Sequence, residues 1–197
     1  MYSPAGESAG IVRTLMESMT VEDKIGQLIM VGFDGQSLTP ELEAHLSEVH
    51  AGNVIFLGRN YANPEQMWSF TNDLQRMASR RSAPAGLFTA IDQEGGVVAR
   101  MLSGVTVFPG NMALGATGRA DYARRAALVT AQEMLALGLN MNLAPVLDVN
   151  NNPGNPAIGV RSYGENPELV AAMGAKAIAA SQSAGVLATA KHFPGKG

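Results

Sequence analysis

Five short apolar runs recur along this 197-residue chain, and each empties into a polar or charged segment. They cover residues 28–33, 53–57, 87–91, 140–144 and 186–190. Apart from Asn140-Met141-Asn142-Leu143 they do not alternate polar with apolar side chains, which is the pattern of strands covered on both faces of a parallel sheet. Helical stretches lie between them. Thr39-Pro40-Glu41, Asn63-Pro64-Glu65 and Asn166-Pro167-Glu168 each place a capping side chain before a proline suited to the first helical position. Thr20-Val21-Glu22-Asp23 resembles a capping box with aspartate in place of the usual Glu or Gln. A longer helix is predicted over about 121–137, stopped by Gly138.

Serial β-α-β units imply right-handed crossovers and an α/β domain. Doubly wound sheets and barrels share this signature, and the strand exits separate them. The exits are Asp34-Gly35, Gly58-Arg59-Asn60, Asp92-Gln93-Glu94-Gly95-Gly96, Asp148 and Lys191-His192. Charge at the carboxyl ends of consecutive strands converges on one face of a barrel, whereas an open sheet gathers it at the strand-order switch. The expected fold is therefore a (β/α)8 TIM-type barrel, present as its first five or so β/α units. Residues 20–197 form that barrel part and 1–19 an N-terminal extension with a leading helix. Open barrel edges and uncovered helix faces predict self-association.

Composition narrows the function. Hydrophobic residues make up 46% and charged residues 16%, so the chain can bury a core. A net charge of −3 with no basic stripe argues against nucleic-acid binding. Arg76, Arg80 and Arg81 cluster at a predicted helix end, where the helix dipole accounts for them. With no cysteine, disulfides and thiolate metal sites are excluded. His45, His50 and His192 lack metal-ligand spacing, and His45 and His50 are expected to be solvated on or near one surface helix. The eleven methionines fit core filling. The uncharged stretch 177–190 is too short to span a bilayer, and no membrane association is expected. Residues 1–8 carry neither a basic nor an apolar leader region, which predicts a cytoplasmic protein.

Asp92-Gln93-Glu94-Gly95-Gly96 has no G-x-G-x-x-G spacing, and a phosphate loop is absent from the chain, so nucleotide readings are poor. Asp92 is expected to face a pocket while Glu94, pointing to the opposite side, braces the loop; a charged turn without a ligand is the plainer reading. Residues 150–156 read as a turn-rich loop. Arg161 just beyond it offers a planar fork for ligand hydroxyls or a carboxylate. Lys191 and His192 place two polar donors at a strand end, suited to a hydroxyl-rich or anionic ligand, against the alternative of a satisfied core histidine.

Taken in order, Ile91-Asp92-Gln93-Glu94-Gly95-Gly96 with Arg100, Ala144-Pro145-Val146-Leu147-Asp148, Arg161-Ser162-Tyr163-Gly164 and Lys191-His192-Phe193-Pro194-Gly195 resemble glycoside hydrolase family 3. The resemblance runs from about Thr20 to the end of the chain, nearest the bacterial β-N-acetylglucosaminidase branch. It implies a retaining mechanism through a glycosyl-enzyme intermediate, with no metal or organic cofactor. It implies that Asp92 binds hydroxyls of the non-reducing-end sugar and that Arg100, Arg161, Lys191 and His192 add hydrogen bonds to the same ring. The family's nucleophile and its Asp/His acid–base loop would fall past Gly197, so no catalytic residue is expected within this chain. Lys196 stands where that branch commonly carries histidine. The implied substrate is a small carbohydrate, an N-acetylglucosamine-containing cell-wall glycan or muropeptide, in peptidoglycan recycling. Another exo-β-glycosidase of the family, such as a β-glucosidase, and a non-catalytic sugar-binding half-barrel are the alternatives.

Overall fold

The computed structural model describes residues 4–197, with side chains from residue 9 onward. Residues 1–3, part of the stretch inspected for a leader, lie outside it. Helices α1 (Pro4–Ser18) and α2 (Val21–Gly26) lead into strand β1 (Met30–Gly32). Then follow α3 (Pro40–Glu48), β2 (Asn53–Phe56), α4 (Pro64–Ser79) and β3 (Phe88–Ile91). A short hairpin, β4 (Gln93–Gly95) and β5 (Val98–Ala99), and a one-turn helix α5 (Asn111–Gly115) come next. The chain continues through α6 (Ala120–Ala136), β6 (Met141–Asn142), α7 (Pro167–Ser183) and β7 (Leu187–Ala188).

The helix starts follow their caps. Thr39, Asn63 and Asn166 accept the amides of Leu42, Gln66 and Leu169 at 3.2, 2.9 and 2.9 Å. Thr20 and Asp23 close the capping box reciprocally, at 3.1 and 3.0 Å. These bonds satisfy amides that the first turn leaves without partners.

The main sheet has the order β1-β2-β3-β6-β7, with every pair parallel. Strands are laid down in chain order without a reversal. A doubly wound sheet needs a switch point, so this winding is that of a barrel. The last pair continues past β6, where Val146 bridges Lys191 and the Leu147 amide donates to the Lys191 carbonyl at 2.7 Å. That extension carries Lys191 and His192 alongside Asp148.

Each strand of the main sheet falls inside its expected run but is shorter. Two-sided burial holds at the centre, where Val54, Phe56, Ala90 and Ile91 have no exposed surface. It fails at the margins: Leu28, just before β1, is 85% exposed, and Leu187 in β7 is 39% exposed. Both margins are sheet edges, with no neighbour beyond them among the described residues.

Phe33, Phe56 and Phe70 meet edge to face with centroids 5.3–5.4 Å apart, joining β1, β2 and α4 in the core. Leu46, Met67, Leu74, Met134 and Leu139 belong to the same cluster. A smaller cluster of Ala123, Tyr163, Val170 and Met173 lies over α6 and α7. Burial pushes the Tyr163 phenol up to about 12.

His50 keeps 40% of its side chain exposed, as expected of a solvated residue, but it also has a partner. Its Nδ1 lies 2.6 Å from Asp23 Oδ1, the other oxygen of which serves the α2 capping box. His50, two residues past α3, adopts φ +50°, and its ring meets that carboxylate. The arginine cluster does not form a patch. Arg76 pairs with Asp73, Arg80 with Glu43, and Arg81 donates to the Ala51 carbonyl.

Candidate functional site

Asp92 and Glu94, at the exit of β3, converge on one lysine at the exit of β7. Lys191 Nζ lies 2.7 Å from Asp92 Oδ1 and 2.7 Å from Glu94 Oε1. Arg100 Nη2 reaches Asp92 Oδ2 at 3.6 Å from the hairpin. Arg161 grips Glu94 with both prongs of its fork, Nε at 2.9 Å and Nη2 at 2.8 Å. Three cations thus share two carboxylates. The group keeps net positive charge and is not self-neutralised. Its charges are held in place before any ligand arrives, as recognition of a polar ligand requires.

The expected placement of Asp92 and Glu94 on opposite sides is overturned. Side chains two positions apart share a face of an extended strand. The residue between them, Gln93, takes the other side. Its Oε1 accepts the amides of Arg100 and Met101 at 2.9 and 3.1 Å, and its Nε2 donates to the Met101 carbonyl at 3.1 Å. Gln93 therefore staples the hairpin that delivers Arg100. Gly95 and Gly96 adopt φ of +88° and +59°, and a Cβ on Gly96 would sit 2.6 Å from Gly110 Cα. Only glycine allows the hairpin to fold back against 108–110.

Glu94 does brace the site, with a side chain only 2% exposed. It does so by holding two cations that are expected to touch ligand. Arg161 finds its carboxylate inside the protein; this pairing raises the guanidinium pKa further, chiefly through the hydrogen bonds to Glu94. The Arg161 carbonyl also accepts from Asn111 Nδ2 at 2.9 Å, which ties the loop to α5.

His192 is served by a different acid. Its Nδ1 lies 2.6 Å from Asp148 Oδ2. The Asp148 side chain is fully buried. Burial raises its pKa, but hydrogen bonds from His192 and the Lys196 amide outweigh this and leave it below the usual carboxylate range. A shallow cavity of about 220 Å³ is lined by Leu147, Asp148, Lys191, His192 and Phe193. Asp34 sits at the same end, paired with Arg59 at 2.5 Å and largely exposed.

Glu94 as the shared anchor and Asp148 as the partner of His192 were not singled out for these roles in the sequence. Their signal was present: both are carboxylates at strand exits, and the two-residue spacing of Asp92 and Glu94 dictates a shared face. Among the described residues, no group of three or more His, Asp or Glu side chains gathers to hold a metal ion.

Residues 20–197 match the "Glycosyl hydrolase family 3 N terminal domain". The chain belongs to glycosyl hydrolase family 3. Beta-hexosaminidase A of Pseudoalteromonas piscicida is 41% identical over 91% of this chain and 33% of its own length. A "Beta-N-acetylglucosaminidase/beta-glucosidase" of Cellulomonas fimi is 35% identical over 94% of this chain and 31% of its own. The structure of a glycoside hydrolase family 3 beta-N-acetylglucosaminidase from Paenibacillus sp. str. FPU-7 superposes with a TM-score of 0.87 and 51% identity, covering 90% of this chain and 34% of that one. The chain spans about a third of the length of these relatives. Its fold is the α/β, parallel-sheet fold of their barrel-like N-terminal domain, present here in part.

Proposed function

We propose that this chain is the sugar-recognising part of a retaining exo-β-N-acetylglucosaminidase acting on β-linked N-acetylglucosamine of cell-wall glycans or muropeptides. The observation that carries this reading is the linked group of Asp92, Arg100, Arg161 and Lys191 at one end of the sheet, with His192 beside it. Neighbouring hydroxyls on a sugar ring both donate and accept. Asp92 accepts from them, while Lys191 and Arg100 donate from positions their ion pairs hold. Such bonds strengthen as the ring flattens toward an oxocarbenium-like transition state, which is where binding accelerates reaction. In this reading the nucleophile and acid/base lie outside residues 1–197, and no residue of the chain breaks the bond. A cytoplasmic role in peptidoglycan recycling belongs to the same reading. So does self-association through the open edges at β1 and β7.

Calorimetric titration with N-acetylglucosamine and glucose tests it. Saturable binding that favours N-acetylglucosamine is expected, and absence of saturable binding to either sugar would contradict it. The double name of the Cellulomonas fimi relative supports a second reading, a site accepting both sugars, which equal affinities would favour.

A further inference from the structure

Asp148 is the charged side chain at the carboxyl ends of the strands that has no exposed surface at all. Its two oxygens serve two donors. Oδ2 faces His192 Nδ1 at 2.6 Å, and Oδ1 accepts the Lys196 amide at 2.6 Å. The Asp148 carbonyl is in turn held by the buried Ser162 hydroxyl at 2.5 Å. The carboxylate is therefore fixed from the main-chain side and cannot rotate toward His192 or away from it without giving up the Lys196 bond.

A carboxylate in this position is purely an acceptor, so the hydrogen it meets must be on His192 Nδ1. In the neutral ring that leaves Nε2 bare and able only to accept. Nε2 has no partner among the described residues, and the His192 side chain is 29% exposed. Lys191, the adjacent residue, is oriented by a separate pair of acids, Asp92 and Glu94. Two neighbouring side chains are thus aimed independently, one as a donor and one as an acceptor.

We infer that Asp148 is a positioning residue: it locks His192 in the Nδ1-protonated tautomer and presents Nε2 as a hydrogen-bond acceptor for a sugar hydroxyl. What Nε2 receives rests on the sugar-binding reading above; the locked tautomer does not. A residue that merely filled space would tolerate an isosteric amide. Asparagine has a single side-chain acceptor oxygen, however, and two donors converge here. Asp148→Asn must leave either His192 or the Lys196 amide facing an NH2 group, and the ring can relieve that conflict by moving its proton to Nε2.

The chain has three histidines, so long-range 15N–1H imidazole spectra can be assigned with His45→Asn and His50→Gln variants. With the ring neutral, as its own 15N shifts report, wild-type His192 is expected in the Nδ1–H form. Asp148→Asn is expected to shift its tautomer ratio at least fivefold toward Nε2–H and to weaken N-acetylglucosamine binding about tenfold, as loss of one oriented hydrogen bond implies. An Nε2–H tautomer in the wild type overturns the inference, and that spectrum decides even if the variant does not fold. An unchanged ratio, or an unchanged affinity, in a folded Asp148→Asn protein overturns it too. The expected tautomers with no sugar binding by the wild type would leave the lock standing and remove the sugar-recognition reading instead.

Discussion

Polar side chains satisfy main chain at both ends of the parallel sheet, but the carboxyl end adds a network of charged side chains that meet one another. At the amino end they satisfy main chain. Asn53 Nδ2 donates to the carbonyls of Gln27 and Ile29 at 2.9 and 3.0 Å. Asn140 accepts the Thr89 amide at 2.8 Å and donates to the Leu87 carbonyl at 3.0 Å. Gln75 holds the amide and carbonyl of Leu87, and Arg81 the carbonyl of Ala51. At the carboxyl end Gln93 and Ser162 do the same, but Asp92, Glu94, Arg100, Arg161 and Lys191 also meet one another. Buried backbone groups need partners wherever strands begin, so the first pattern follows from folding alone. Clustered charge with partly exposed faces contributes little to folding once desolvation is counted. The difference supports the proposal that the carboxyl end is the working face, where barrels of this kind place their chemistry.

Substitutions should separate the two ends. The largest effect is expected from Glu94→Ala, which strips a buried anchor from both Arg161 and Lys191. Removing one partner of a buried ion pair costs about 3–5 kcal/mol, and urea unfolding should show a loss on that scale. A loss under 1 kcal/mol would mean that the network is solvated and its orientation loose. Asp92→Ala should do the reverse. Lys191 keeps Glu94, so stability changes little, while N-acetylglucosamine affinity falls about ten- to a hundredfold, as loss of a charged hydrogen bond worth roughly 1.5–3 kcal/mol implies. Calorimetry that finds affinity unchanged would take Asp92 out of the site. Asn53→Ala, at the other end, should cost about 1–3 kcal/mol of stability through two unpartnered carbonyls and leave sugar affinity untouched.

A smaller, pH-dependent effect sharpens the contrast. The Asp148 carboxyl sits below its ordinary range in the folded chain because its bonds to His192 and the Lys196 amide outweigh burial. A group depressed on folding stabilises the fold above its unfolded pKa and loses that contribution as pH falls through the folded one. Urea midpoints measured from neutrality down through the carboxylate range should therefore drop, and Asp148→Asn should flatten part of that acid limb. An identical acid limb in the variant would show that Asp148 is not among the groups responsible.

Much of the fold was legible because its signals are local. The caps at Thr39, Asn63 and Asn166 each act within three residues, and the apolar runs announced the strands. The β4–β5 hairpin was not legible. It depends on Gln93 folding back onto Arg100 and Met101, a contact that no periodicity encodes. The same holds for the site. Asp92 and Lys191 stood out as strand exits, yet the bond that joins them spans 99 positions of sequence. Glu94 finds Arg161 across 67 positions, and Asp148 finds His192 across 44. Residue type at a strand end can nominate a site, but pairings at that separation are set by strand order.

The most direct test of the working-face assignment is to titrate N-acetylglucosamine into the 15N-labelled chain and map the amide shifts. Titration to about 10 mM reaches binding worth only a few kcal/mol. Saturable shifts are expected at residues 92–100, 161–163 and 191–193, with Asn53, Arg81 and Asn140 unmoved. Shifts centred on the amino end, or none that saturate, would contradict the assignment.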